Sequence, residues 1–166
     1  MIIDNLAKLI GPKVIMSLVL IALSGVALAG PFEDAGAAYT RKDYATALRL
    51  LRPLADKGDV SAQYGLGRMY YEGEGVPQNH AEALNWYRRA AEQGYVMAQY
   101  DAGLMMGAGM GAAPDFVLSH MWLNLAAMQK YEDAALWRDN YERLMTSAQI
   151  ENARRLMRDW KPKPER

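Results

Sequence analysis

The feature that most constrains the fold is an internal repeat with a period of 36 residues. The segment 61–94 aligns without a gap on the segment that begins at Met97. The identical pairs include Ala62 and Ala98, Gln63 and Gln99, Tyr64 and Tyr100, Gly67 and Gly103, Gly73 and Gly109, Gly75 and Gly111, Trp86 and Trp122, and Ala90-Ala91 and Ala126-Ala127. Such a period is typical of chains built from stacked units, in which each unit buries its apolar face against the next.

Each unit is predicted to contain two helices joined by a glycine-containing loop. In the best-defined unit, the first helix covers 60–71 and the second covers 79–93. The second helix begins at the capping residue Asn79, with Glu82 three positions later, and ends at Gly94, which accepts a left-handed conformation. One apolar face recurs at helical spacing. It consists of Ala83, Trp86, Tyr87 and Ala90.

Small residues mark the places where paired helices are expected to approach closely. They are Ala62, Gly67, Ala83 and Ala90. A larger side chain at these positions would push the two helices apart. In the following unit, Asp115 is the predicted N-cap of the second helix.

The segment 61–94 resembles a Sel-1-like repeat, the looped relative of the tetratricopeptide repeat, at nearly every position of that family's pattern. The segment 97–130 is a more divergent match, and 33–58 looks more like a plain tetratricopeptide unit, through Tyr44 and Ala47. The resemblance implies an all-α fold, an α–α superhelical solenoid of paired antiparallel helices. It also implies a role in binding partners and not a particular chemistry.

A C-terminal capping helix pair is predicted to close the stack, because a solenoid must cover its last apolar face. The apolar residues of the first capping helix are Ala135, Trp137, Tyr141, Leu144 and Met145. The second helix begins with a capping box over 146–149. Its apolar residues are Ile150, Ala153, Leu156, Met157 and Trp160.

The N-terminal segment has the pattern of a secretory signal peptide. An uncharged apolar run over 14–29 follows two lysines and ends in the small residues Ala27 and Ala29. We therefore expect export to the periplasm with cleavage after Ala29. The alternative is an uncleaved anchor in the inner membrane, since the uncharged run is at the short limit for crossing a bilayer. Only this alternative implies membrane contact.

The predicted organisation of the chain follows from these patterns. It comprises a signal peptide at 1–29, a degenerate tetratricopeptide-like unit at 30–59, Sel-1-like repeats at 60–95 and 96–130, capping helices at 131–160 and a frayed tail at 161–166.

The composition excludes several classes of function. Equal numbers of basic and acidic residues, 19 of each, argue against general nucleic-acid binding. The absence of cysteine removes disulfides, thiolate catalysis and zinc fingers, and two histidines leave little for a metal site. The sequence contains no Ser-x-x-Lys, Gly-x-Ser-x-Gly, P-loop or His-Glu-x-x-His motif. We therefore predict no catalytic residue, no cofactor and no metal.

Two features have less usual interpretations. Met105, Met106 and Met110 fall in a glycine-rich stretch that we interpret as a loop. Core packing is the main interpretation of the methionines, and a copper(I) site is the alternative, because thioethers are soft ligands. His120 is expected at the surface or half-buried on its helix.

A partner-binding surface is predicted along one stripe of the first helix in two successive units. Its residues are Ser61, Tyr64, Arg68, Tyr71, Glu72, Met97, Tyr100 and Leu104. Equivalent positions contact ligands in the tetratricopeptide proteins that the chain resembles. Tyrosine and arginine are also enriched at binding hot spots. Packing of Tyr64 and Tyr100 against neighbouring helices is equally compatible with the pattern.

These observations predict a secreted or periplasmic helical-repeat scaffold that binds a partner protein or peptide through its concave face. The alternative is an envelope enzyme or a binder of cell-wall material, similar to relatives described as β-lactamases; family analogy alone supports it. No nucleic-acid partner is expected. Self-association is a further expectation, since three units and a cap are near the minimum for a stable array.

Overall fold

The computed structural model describes residues 30–131 and 133–164. This part of the chain forms eight α-helices and no strand. The helices are α1 (Pro31–Thr40), α2 (Tyr44–Asp56), α3 (Val60–Glu72), α4 (His80–Glu92), α5 (Val96–Ala108), α6 (Phe116–Met128), α7 (Ala134–Glu142) and α8 (Ser147–Asp159). The predicted signal peptide lies outside the described residues.

Side-chain caps fix where most of these helices begin. The caps of α2, α3, α4 and α6 each accept a hydrogen bond from the backbone N–H three residues later. They are Asp43, Asp59, Asn79 and Asp115. The capping box of Thr146 and Gln149 opens α8. The predicted starts of α4, α6 and α8 are therefore confirmed.

The helices stack in chain order. Each helix from α1 to α5 packs against the next one, and α6 contacts both α7 and α8. Successive helices are antiparallel hairpins, so the three pairs α1–α2, α3–α4 and α5–α6 form a continuous stack with its core between neighbouring pairs. The predicted all-α solenoid is confirmed. None of the described helices combines the length and the apolar composition needed to cross a bilayer.

Glycines allow the paired helices to approach closely, as we predict from the small residues of the repeat. A Cβ atom on Gly67 of α3 would lie 2.5 Å from Cδ1 of the buried Tyr87 on α4. One repeat later, a Cβ on Gly103 of α5 would lie 2.8 Å from Cγ of Leu123 on α6. The same two positions of the repeat therefore make the same contact, and this contact requires glycine.

A buried glutamine also recurs between the units. Nε2 of Gln63 donates to the carbonyl oxygen of Ala55 at 3.2 Å, and Nε2 of Gln99 donates to that of Ala91 at 3.3 Å. Each glutamine in turn accepts a hydrogen bond from a second glutamine, at the C-cap of the following helix. The repeated glutamine therefore links the first helix of one unit to the end of the preceding unit.

Replacement of Gln99 with leucine is expected to lower the free energy of unfolding by about 1–3 kcal/mol. The reason is that the Ala91 carbonyl and the Gln129 side-chain amide each lose a hydrogen-bond partner. Urea unfolding followed by circular dichroism measures the change. The control is Gln78→Leu, which removes an exposed hydrogen bond to the Tyr71 carbonyl and should change stability by at most about 0.5 kcal/mol. Equal effects of the two substitutions would contradict a structural role for the buried glutamine.

The second capping helix covers the outer face of α6 as predicted. Ala153 is fully buried, and Ile150, Leu156 and Met157 are half-buried, whereas the arginines of α8 are exposed. The rings of Trp122 and Trp160 meet edge to face, with centroids 6.1 Å apart. The polar face of α8 therefore forms the end of the stack.

The prediction for the first capping helix is partly wrong. Ala134, and not Ala135, is the buried alanine, while Trp137 and Leu144 are 38% and 64% exposed. The physical reason is that α7 ends at Glu142, so Leu144 lies beyond the helix and leaves its periodic face. Met105 and Met106 likewise do not lie in a loop, because α5 continues to Ala108 and buries both side chains.

His120 is also buried, contrary to expectation, with only 2% of its surface exposed. Its Nε2 lies 2.7 Å from Oε2 of Glu142 on α7, and Oε1 of the same glutamate lies 3.4 Å from Arg154 on α8. These three side chains therefore join α6, α7 and α8. The burial arises from α7, whose position the repeat pattern does not predict.

The described part of the predicted frayed tail, residues 161–164, is held against the end of α4. The backbone N–H of Lys163 donates to the carbonyl oxygen of Glu92 at 2.8 Å, and its Nζ lies 2.6 Å from the carboxylate of the same residue. The last carbonyls of a helix lack partners within the helix, and here the tail supplies one.

Candidate functional site

A groove of about 380 Å³ lies where α3, α5 and α7 come together. Its lining residues are Tyr64, Arg68, Tyr71 and Glu72 of α3, Tyr87 of α4, Asp101, Leu104, Met105 and Ala108 of α5, Met110, and Trp137 and Tyr141 of α7. We call this the central groove. The first helices of two successive repeats thus line it together with the first capping helix.

The structure brings five of the eight predicted binding residues into the central groove. They are Tyr64, Arg68, Tyr71, Glu72 and Leu104. Ser61 lies in a neighbouring apolar hollow of about 170 Å³ between α1 and α3, which Tyr64 and Arg68 also border. Tyr100 packs against Tyr131, with ring centroids 4.9 Å apart, and Met97 lines neither space.

The sequence patterns did not identify several residues of the groove. Asp101 could have been predicted from helical spacing. It follows Met97 by four residues and precedes Leu104 by three, so it lies on the predicted binding stripe. No sequence pattern places Trp137 and Tyr141 in the groove, since they belong to α7, after the end of the repeat. Tyr87 was assigned only to the core, although its buried ring also forms part of the groove wall.

Glycines shape the end of the groove that α7 forms. A Cβ on Gly107 would collide with the ring of Tyr141, so the glycine lets α7 lie directly against α5. At the end of α5, Gly109 adopts φ 71°, a left-handed conformation that ends the helix. The chain turns after Gly109, and Sδ of Met110 lies 4.0 Å from the hydroxyl of Tyr71.

The aromatic side chains of the groove support one another. Tyr64 lies between Tyr87 and Tyr95, with centroid distances of 5.4 and 5.1 Å. Trp137 and Tyr141 are 6.1 Å apart. Rings held in this way lose little conformational freedom when a ligand binds. The groove is therefore a preformed aromatic surface.

Asp101 is one of three charged residues that line the groove, with Arg68 and Glu72. Its carboxylate accepts a hydrogen bond from the Tyr64 hydroxyl. Burial raises the pKa of Asp101, although this hydrogen bond and the charge of Arg68 oppose the rise. Burial and the Asp101 charge raise the pKa of Tyr64 and Tyr87 well above the usual range, so both phenols are neutral hydrogen-bond donors.

The guanidinium of Arg68 contacts Tyr39 and forms no ion pair with the described carboxylates of the groove. It lies 5.6 Å from the ring centroid of Tyr39, and its Nη2 is 3.4 Å from the Tyr39 hydroxyl. Within the described residues, no lysine, arginine or histidine nitrogen lies within 4.0 Å of the carboxylates of Asp101 or Glu72. The groove therefore holds two carboxylates without an ion-pair partner.

Replacement of Asp101 with asparagine is expected to raise the midpoint of thermal unfolding at pH 7. The folded-state pKa of Asp101 is raised, so its ionisation costs stability above that pKa, and the cost disappears below the unfolded-state value of 3.8. The difference from wild type should therefore vanish at about pH 3. Scanning calorimetry at both pH values measures it, with the exposed Asp139→Asn as a control that should show no rise. A lower midpoint for Asp101→Asn at pH 7 would contradict the account.

The groove offers binding groups more than catalytic ones. Among the described residues that line it, none is a serine, histidine or cysteine. It provides aromatic faces, hydroxyl donors, two carboxylates and a guanidinium, which are suited to holding a peptide or side chain.

Comparison with known proteins agrees with this architecture. The Sel1 repeat model matches residues 28–59, 60–95 and 96–131. A solved structure of a protective antigen from uropathogenic Escherichia coli strains, described as displaying an SLR fold, is 29% identical and has a TM-score of 0.72. That match covers 84% of this chain and 30% of the antigen.

A Sel1 repeat protein from Oxalobacter formigenes is 31% identical, with a TM-score of 0.61, over 64% of this chain and 44% of its own. This chain thus spans less than half the length of both proteins. Comparison with curated proteins gave no significant match.

Sel1 repeats generally mediate protein–protein interactions, and the family is typically a non-catalytic scaffold. Three matched units cover more than half of the sequence, in the order and with the helix pairing that the structure has. The chain belongs to the Sel1 repeat family.

Proposed function

We propose that the chain is a non-catalytic scaffold that binds a segment of a partner protein in the central groove. The observation that carries the proposal is the convergence of α3, α5 and α7 on one preformed groove. It has five aromatic rings, apolar side chains and two carboxylates that have no ion-pair partner among the described residues. Tyrosine, tryptophan and arginine are the residues that most often dominate binding energy at protein interfaces. The groove concentrates all three types.

The shape of the surface favours an extended or helical peptide segment over a small molecule. The central groove adjoins the apolar hollow that Phe32, Leu51 and Tyr95 help to line, and Tyr64 and Arg68 border both spaces. A segment that followed both would contact the first helices of all three repeats and α7. A bound chain of this kind gains affinity along its length without a deep cavity.

We further propose that the protein acts outside the cytoplasm, in the periplasm, after removal of residues 1–29. The support is the apolar run followed by the small residues Ala27 and Ala29. Expression of the full sequence in a Gram-negative host tests this. The expected result is a periplasmic protein whose intact mass corresponds to a chain starting at Gly30, and an uncleaved protein in the membrane fraction would contradict it.

Capture experiments test the binding role of the groove. Wild-type protein and the triple variant Tyr64→Ala/Arg68→Ala/Tyr71→Ala are immobilised and exposed to periplasmic extract, after circular dichroism shows that both are folded. A triple variant of exposed α8 residues, Glu151→Ala/Arg155→Ala/Arg158→Ala, is the matched control. We expect the groove variant to retain about tenfold less of the specific partner than the other two proteins. Equal retention by all three would overturn the proposed function.

A further inference from the structure

We propose that the central groove selects partner segments that carry a lysine or arginine side chain, which binds between Asp101 and the surrounding aromatic rings. This inference rests on the proposed function and adds the chemistry of the partner. It is argued from the charges, the aromatic lining and the apolar floor of the groove.

The charges of the groove are unbalanced. Asp101 and Glu72 have no ion-pair partner within the described residues, and Arg68, whose charge acts on Asp101, contacts the ring and the hydroxyl of Tyr39 on α1. Arg68 also lies on the border between the groove and the neighbouring hollow. The groove itself therefore presents net negative charge to an occupant.

The position of Asp101 makes a cation more favourable than a neutral group. Its carboxylate is largely buried and has the Tyr64 hydroxyl as its hydrogen-bond donor. An apolar occupant would remove the remaining water from this carboxylate without replacing the lost hydrogen bonds, which is costly. An ammonium or guanidinium group supplies both a charge and the missing donors.

The walls and floor match the rest of a basic side chain. The aromatic rings of Tyr64 and Tyr141 line the groove beside the apolar side chains of Leu104 and Met105, and an aromatic face attracts a cation. The methylene stem of lysine or arginine packs on apolar surface while its head is charged. A carboxylate-bearing segment would instead meet two like charges, so acidic segments are excluded.

Selection from a random peptide library tests the inference. A phage library of random dodecapeptides is selected on wild-type protein, and the best binders are synthesised with capped ends. Their affinities are measured by fluorescence anisotropy against wild type, Asp101→Asn and the control Asp139→Asn, which makes the same chemical change at an exposed site on α7. Each peptide is also made with norleucine in place of its conserved basic residue, and Tyr71→Ala reports whether the peptide occupies the groove.

We expect a lysine or arginine at one fixed position among apolar neighbours. Asp101→Asn should weaken binding about tenfold or more, norleucine should do the same, and the two changes together should cost little more than either alone. Binders that depend on Tyr71 but carry no basic residue, or are insensitive to Asp101→Asn, would overturn the inference and leave the proposed function standing. Binders that do not depend on Tyr71, or a selection without binders, would overturn both.

Discussion

Replacement of Gly67 with valine is expected to lower the free energy of unfolding by about 3 kcal/mol. The added Cβ would lie 2.5 Å from Cδ1 and 2.6 Å from Cε1 of Tyr87, a residue that is only 3% exposed. Either α3 and α4 move apart, or Tyr87 leaves its position. Both outcomes disturb the groove as well as the core, because Tyr87 belongs to the groove wall. Urea unfolding and partner capture measure the two effects.

The matched control is Gly36→Val. This glycine lies in α1, and a Cβ there would meet nothing within 4 Å. The same chemical change should alter stability by at most about 0.5 kcal/mol, since valine and glycine differ little in helix propensity. If both substitutions cost the same, the close approach of α3 and α4 is not what requires glycine in the repeat.

Replacement of Trp122 with alanine is expected to cost about 3–5 kcal/mol, the usual range for removing a large aromatic side chain from a core. Trp122 is 4% exposed, belongs to the core between α5 and α6, and contacts Trp160 near the end of α8. Its loss would empty the space under the capping helix and release α8 from the stack. Chemical unfolding gives the cost, and hydrogen exchange of α8 amides reports the detachment of the cap.

Trp137→Ala is the control for this substitution. Trp137 is 38% exposed on α7 and lines the central groove. The substitution Trp137→Ala should lower the free energy of unfolding by about 1 kcal/mol or less and should weaken partner binding. A large loss of stability for Trp137→Ala, or a small one for Trp122→Ala, would contradict the assignment of one tryptophan to the core and the other to the groove.

Most of the stack could be predicted because its determinants are local and repeated. The caps, the positive-φ glycines and the apolar face of α4 follow from residue type and spacing within one unit. The repeat then predicts that neighbouring units pack in the same way, and the close helix contacts at Gly67 and Gly103 are an example. The stripe containing Tyr64, Arg68 and Leu104 followed from the same periodicity, and these residues do line the groove.

The remaining features depend on contacts between segments that no pattern relates. α7 begins after the last repeat, and its packing decides that His120 is buried and that Trp137 and Tyr141 face the groove. Tyr100 makes with Tyr131 the contact that Tyr64 makes with Tyr95 one repeat earlier, but of these two tyrosines only Tyr64 lines the groove. The attachment of Lys163 to Glu92 joins residues 71 positions apart. Such contacts arise from the assembled stack and not from local spacing.

Site-specific crosslinking shows directly whether a partner protein binds in the central groove. The photoreactive residue p-benzoylphenylalanine is introduced in place of Leu104 at the groove floor or in place of the exposed Arg155 on α8, and the protein is irradiated in cells. We expect the Leu104 position to yield a covalent adduct with a partner protein and this adduct to be lost when Tyr71→Ala is added. We expect no adduct from the Arg155 position. Adducts from Arg155 together with none from Leu104 would contradict the proposed function, because the partner would then bind outside the groove.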